Sequence, residues 1–260
     1  MRISNSSRVV DEDGYRSDLS VGIRLGLREF LRPSLGLQLG ILWLILDPFI
    51  TASLYIFLIA VLRDDPNGLS IIIGVLTYRA LTNSLTKSMS EHHKEPFPMK
   101  HSSSKLILSS LVTRELVTAA LLGSLGGLSF IVMGQSNITI VFHFTLVCCI
   151  FSVIGMGLGL LLFPLVLRLK DIGKIVRYAL FVGFFVQAVL YEFSMTTGFH
   201  RELLSWLPHT LGAEWIRYVN SGDDYPFSLQ RLATVAFIWS SLSLYGFLKF
   251  DANRWRSTTW

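Results

Sequence analysis

The sequence predicts an all-α membrane protein with six transmembrane helices, an N-terminal amphipathic interfacial helix and short re-entrant helices between the fifth and sixth spans. Three observations lead there. First, six apolar stretches divide the 260-residue chain: Leu39 to Leu62, Leu69 to Leu85, Leu106 to Met133, Thr139 to Leu167, Ile172 to Phe193 and Leu229 to Phe250. Each approaches or exceeds the ~20 residues a helix needs to cross ~30 Å of hydrocarbon, and none keeps the polar outer face of a soluble helix. Second, hydrophobic residues make up 51% of the chain and charged residues 16%, against about 25% charged in soluble domains. Third, the basic residues alternate between connections.

That alternation sets the expected orientation. Six arginines precede the first stretch, four lysines lie between the second and third, four cations flank the fourth-to-fifth connection, and Lys249, Arg254 and Arg256 lie at the C-terminal end. Only Arg63, Arg201 and Arg217 lie in the alternate loops, so seventeen cations face three. Positive charge favours the cytoplasmic side, which predicts a multi-pass protein of the cytoplasmic (inner) membrane with both termini inside. The net charge of +5 therefore reports orientation and not a nucleic-acid partner.

Residues 1–17 read as a polar tail without the apolar run of a secretory leader, and residues 18–260 as one transmembrane domain. Residues 18–32 read as the interfacial helix: Leu19, Ile23, Leu27, Phe30 and Leu31 form a stripe beside a row of Arg24, Arg28 and Arg32, a pattern suited to a lipid surface. Ser17 or Asp18 would cap its start and Pro33 would stop it.

Inside the spans, Asp47, Arg79, Arg114 and Glu115 are costly in hydrocarbon and should face protein, water or one another. Arg114 and Glu115 are expected to pair within the bundle, whereas Arg79 is the candidate for a water-filled path. Pro48 and Pro164 should bend their helices. Adjacent Cys148 and Cys149 read as small buried apolar residues, since neighbours on a helix cannot form a disulfide. Aromatics of the first and fifth spans (Trp43 and Tyr55, then Phe181, Phe185 and Tyr191) are candidates for stacking on the CH faces of sugars along a path. Tyr178, Phe181 and Phe185, with Tyr191 as a candidate fourth, are expected near one helical face.

The largest cytoplasmic connection runs from Lys87 to Lys105 and carries Glu91, His92, His93, Glu95 and Phe97 between Pro96 and Pro98. It lacks the i, i+4 histidine pair of a helical zinc site, so a short broken helix presented to a cytosolic partner is expected, and no metal. Between Ser194 and Ser228, two short apolar runs meet at Pro208. They are too short to span and should dip into the outer leaflet or cover a pore, where their irregular backbone needs protein or water around it. Thr210 would cap the second run, and Asn220 to Gly222 would end it.

Nucleotide-binding, hydrolase and metalloprotease motifs (GxxxxGK[ST], GxGxxG, GxSxG, HExxH) are missing. Uphill transport would thus draw its energy from another subunit, and no cofactor is implied.

Four local patterns then resemble one family. Leu39, Gly40, Trp43 and Pro48, in LGILWLILDP, resemble the LGxLWxxxEP that opens the first span of type-two ABC exporter permeases, most closely the O-antigen, capsule and teichoic-acid polysaccharide exporters. Phe97 and Pro98 match the family's FP. Lys170, Asp171 and Ile172 resemble its RDI. Pro208, Glu214 and Arg217 keep the spacing of its NPxxxxxExxR. Asp47 stands for the usual Glu, Tyr78 and Arg79 stand where a Trp is common, Lys170 replaces Arg and Leu207 replaces Asn.

The resemblance spans about residues 20 to 250. It implies a homodimer with two copies of a cytosolic ATP-binding subunit, exporting a lipid-linked polysaccharide. It also implies a coupling helix at Glu91, Glu95 and Phe97 and a re-entrant gate at Pro208, Glu214 and Arg217. A type-two exporter of a drug or lipid, or a membrane-embedded enzyme acting on lipid-linked sugars, would share much of this pattern. An enzyme, however, needs a convergent acid, base or metal site, and the sequence offers none.

Overall fold

The computed structural model describes residues 6–32, 42–62, 68–90, 104–134, 138–169, 171–222 and 224–256. These residues form α1 (Ser6–Leu31), α2 (Leu42–Leu62), α3 (Gly68–Ser90), α4 (Ser104–Val132), α5 (Thr139–Arg168), α6 (Ile172–Val186), α7 (Gly198–Leu204), α8 (Pro208–Ser221) and α9 (Leu229–Arg256), with a 3₁₀ turn at Phe193–Met195. No strand occurs among the described residues. Among the described residues four segments, α3, α4, α5 and Leu229–Phe250 of α9, are long and apolar enough to cross a membrane, so the protein is membrane-embedded.

α5 is the centre of the bundle, packed between α3, α4 and α9. Small residues let it take three neighbours. A Cβ at Gly155 would overlap the Leu81 carbonyl of α3, and one at Gly157 would overlap Ser243 of α9. Gly123 and Gly127 of α4 lie equally close to the Thr145 and Val141 backbone of α5. Without a hydrophobic drive between helices in lipid, such close approach is what dispersion and backbone contact require. Phe130, Phe144 and Met156 fill the rest of this core at under 2% exposure.

α1 is longer than its sequence pattern predicts, beginning at Ser6, so part of the expected polar tail is helical. It lies along α4 through Gly22 and Gly26, where an added Cβ would strike Ser109 or the Ser110 carbonyl. The apolar stripe of Leu19, Ile23, Leu27 and Leu31 stays exposed. Packing thus uses the glycine face and leaves the leucine face for the surroundings.

α6 stops at Val186, short of the expected Phe193. Its 15 residues rise only about 22 Å. Gln187 turns to extended backbone with ψ 160°. The orphan Val186 carbonyl accepts bonds from the Tyr191 hydroxyl and, at 2.8 Å, from His200 Nε2, which satisfies a group that a helix end exposes. The non-helical chain then passes over α3 at Gly74, where any side chain would collide with Val189. Irregular backbone buried against protein is how such a segment is tolerated at membrane depth.

Candidate functional site

α3 carries the polar chemistry of the bundle. From Ser70 to Lys87 it rises about 26 Å, and three polar clusters sit along it.

At the Lys87 end, Glu115 of α4 is fully buried. It accepts from Arg114 Nε at 2.8 Å and from Ser84 Oγ at 3.2 Å, and Lys87 Nζ lies 3.4 Å away. Ser84 also meets Ser152 of α5 at 2.6 Å, and Arg114 reaches Glu29 of α1 at 3.5 Å. Two cations and two carboxylates thereby tie four helices together. Arg114 and Glu115 pair as the sequence predicts.

Midway, Arg79 pairs with Asp47 of α2 at 3.0 Å, with 64% of the Asp47 side chain exposed. Next to it, Tyr78 donates to the Leu180 carbonyl at 2.5 Å and meets the Phe184 ring edge-on at 5.5 Å. Tyr55 packs against Phe184 with its ring tilted, at 4.6 Å. This aromatic joint fixes α6 to α2 and α3.

At the Ser70 end lies the densest cluster. Pro208 opens α8 at a position where its missing N–H costs nothing. Gly222, at φ 75°, closes the helix in the left-handed conformation that suits glycine. Thr210 does not cap, because the helix begins two residues before it and buries it. One turn of α8 presents Glu214 and Arg217, which pair with each other. Arg217 donates from Nε to Ser70 Oγ at 2.8 Å and from its terminal nitrogen to the Ser70 and Ala188 carbonyls at 3.2 and 3.3 Å. Glu214 Oε1 also accepts the Phe193 N–H at 3.0 Å. Two buried charges therefore hold α8, the α6–α7 connection and α3 in one geometry. His209, fully buried, adds a contact with Thr77 Oγ1 at 3.1 Å.

A cavity of about 460 Å³ opens beside this pair. Leu69, Ile73 and Phe130 form its apolar wall, and Glu192, Glu214, Arg217, Tyr218, Asn220 and Asp224 bring polar groups to it. Behind Tyr218 stand Trp215 and Tyr225, with ring centres 5.6 and 5.9 Å from it. Burial raises the pKa of the Tyr225 hydroxyl, which donates to the Leu211 carbonyl at 3.0 Å.

The residues expected to line a path do not converge within a single copy of the chain. Phe181 and Phe185 touch at 5.3 Å on the outer face of α6, 61% and 45% exposed, together with Tyr178. Trp43 of α2 is also exposed, whereas Tyr55 is half-buried against Phe184. Tyr191 is not on the α6 face at all, because the helix ends before it and its hydroxyl caps Val186. Pro208, Glu214 and Arg217 do come together around α8. Glu91, Glu95 and Phe97 lie outside the described residues.

Sequence reasoning passed over Ser70 and His209, and noted Tyr78 only as a departure from the family pattern; all three complete these clusters. His209 beside Pro208 was the available signal, since a histidine at a buried turn has few neighbours that could satisfy it. No protein-family model matches the sequence, and neither does any curated protein.

Proposed function

We propose that the chain is the permease subunit of an ABC exporter that moves a lipid-linked polysaccharide across the cytoplasmic membrane. In this reading it works as a homodimer with two copies of a separate ATP-binding subunit and has six spans, α2 and α6 joining the four longer helices. Both termini are cytoplasmic, and the connection from Lys87 to Lys105 docks the ATPase. The chain does no chemistry itself.

The observation that carries the reading is the seating of α7 and α8. This helix pair is too short to span, lies between α6 and α9, and is held to α3 through the buried Glu214–Arg217 pair. The order and spacing of the motifs that resemble polysaccharide exporters agree with it. The exposed aromatic face of α6 supports a wall completed by a second copy, along which a polymer is threaded by sites that hold weakly and release easily.

The test is deletion of the gene in its native cell. Loss of surface glycan with accumulation of lipid-linked glycan inside, restored by the wild-type gene, is the expected result. Unchanged surface glycan with a new sensitivity to drugs would reject it.

A further inference from the structure

The cavity beside Glu214 has features that the α8 anchor does not require. Glu214 makes both of its bonds, to the Phe193 N–H and to Arg217, through Oε1. Among the described residues nothing donates to Oε2, although the side chain is 9% exposed and lines the cavity. That oxygen belongs to a side chain lining the cavity and can accept a bond from a hydroxyl there. The guanidinium of Arg217 is committed to Glu214, Ser70 and Ala188, so it leaves no strong site for an anion.

The other lining groups set the chemistry of the ligand. Glu192 and Asp224 add carboxylates, Asn220 adds an amide, and Tyr218 is a partly exposed ring at 37%. Carboxylates and amides accept from hydroxyls, and an aromatic face meets the CH side of a pyranose. A metal ion is a poor fit, because no group of three His, Cys, Asp or Glu side chains able to hold one occurs among the described residues. The volume of about 460 Å³ lies within the ~300–1,000 Å³ of small-molecule pockets.

We infer that this cavity binds an uncharged sugar residue through hydroxyl contacts to Glu214 Oε2, Glu192, Asp224 and Asn220, with its CH face on Tyr218. The inference rests on the export reading only for the source of the sugar, a residue of the glycan leaving past α8.

Saturation-transfer NMR on the full chain in nanodiscs tests it, with methyl β-glucoside, methyl α-mannoside and methyl N-acetyl-β-glucosaminide as probes and methyl β-glucuronide as the anionic control. We expect transfer to the ring protons of at least one neutral glycoside, competed by the unlabelled free sugar, and none to the glucuronide. Tyr218→Ala and Asn220→Ala should weaken it about tenfold; Glu214→Gln should do the same where it folds. Absence of transfer to every neutral glycoside, stronger transfer to the glucuronide, or equal transfer in Tyr218→Ala would overturn the site. If transfer fails while gene deletion still abolishes surface glycan, the cavity assignment falls and export stands. If transfer occurs while deletion leaves surface glycan unchanged, the site stands and export falls.

Discussion

Lys87 Nζ lies 3.4 Å from Glu115 Oε1, yet the lysine side chain is 43% exposed and the carboxylate is wholly buried. The two partners therefore differ in what their loss would cost. Removing Glu115 leaves Arg114, 11% exposed, without its closest counter-charge. Breaking a buried pair from that side costs about 3–5 kcal/mol. Glu115→Ala should therefore sharply lower the thermal unfolding midpoint in detergent, while Lys87→Met should move it little. Equal shifts for the two variants would show that the lysine, not Arg114, is the main partner.

The glycines of α5 and α6 make an internal comparison. At Gly155 a methyl group would meet the Leu81 carbonyl of α3, a backbone atom that cannot swing aside. Overpacking of this kind costs about 1–3 kcal/mol. At Gly173, in the first turns of α6, the nearest atom to such a methyl is 3.6 Å away, an ordinary contact, and alanine gains about 1 kcal/mol of helix propensity. Gly155→Ala should destabilise the protein and Gly173→Ala should not. Unfolding midpoints measured side by side decide it, and a neutral Gly155→Ala would mean that α3 and α5 separate easily.

The connection from Lys87 to Lys105 is the expected ATPase dock, through Glu91, Glu95 and Phe97. Replacing Glu95 and Phe97 together by alanine should reduce co-purification of the ATP-binding subunit or uncouple export, with membrane insertion unchanged. Normal assembly and normal export in that double variant would remove the assignment.

Much of the helical plan is legible from apolar run length, because hydrocarbon thickness sets a minimum length that few other constraints imitate. What the runs conceal is which face meets protein. Lipid tails and a packed core are equally apolar, so Leu27, exposed, and Ile107, buried, look alike in sequence. The α6 boundary was misplaced for a related reason. Residues 187–193 are apolar enough to extend the helix, but bonds from Tyr191 and His200 to the Val186 carbonyl and the close pass over Gly74 stop it. Those contacts join distant parts of the chain, as does the Arg217–Ser70 bond across 147 residues. The local spacing of Glu214 and Arg217 was readable, one turn apart on a helix, but their partner was not.

The outer face of α6 yields the last prediction. Phe184, on the adjoining side of the helix, is buried between Tyr55 and Tyr78, so Phe184→Ala should destabilise the fold by about 3–5 kcal/mol. Phe181 and Phe185 are exposed and touch chiefly each other and, for Phe185, the edge of Phe184. Their truncation to alanine removes little packing within one copy, so the unfolding midpoint should stay close to wild type. If the face lines a path completed by a second copy, the double variant should nevertheless export surface glycan more slowly, with ATPase assembly intact. A cysteine at Tyr178 should also form a cross-link between copies in native membranes. Wild-type export together with no cross-link would mean that this face meets lipid, and that its rings serve the bilayer and not the glycan.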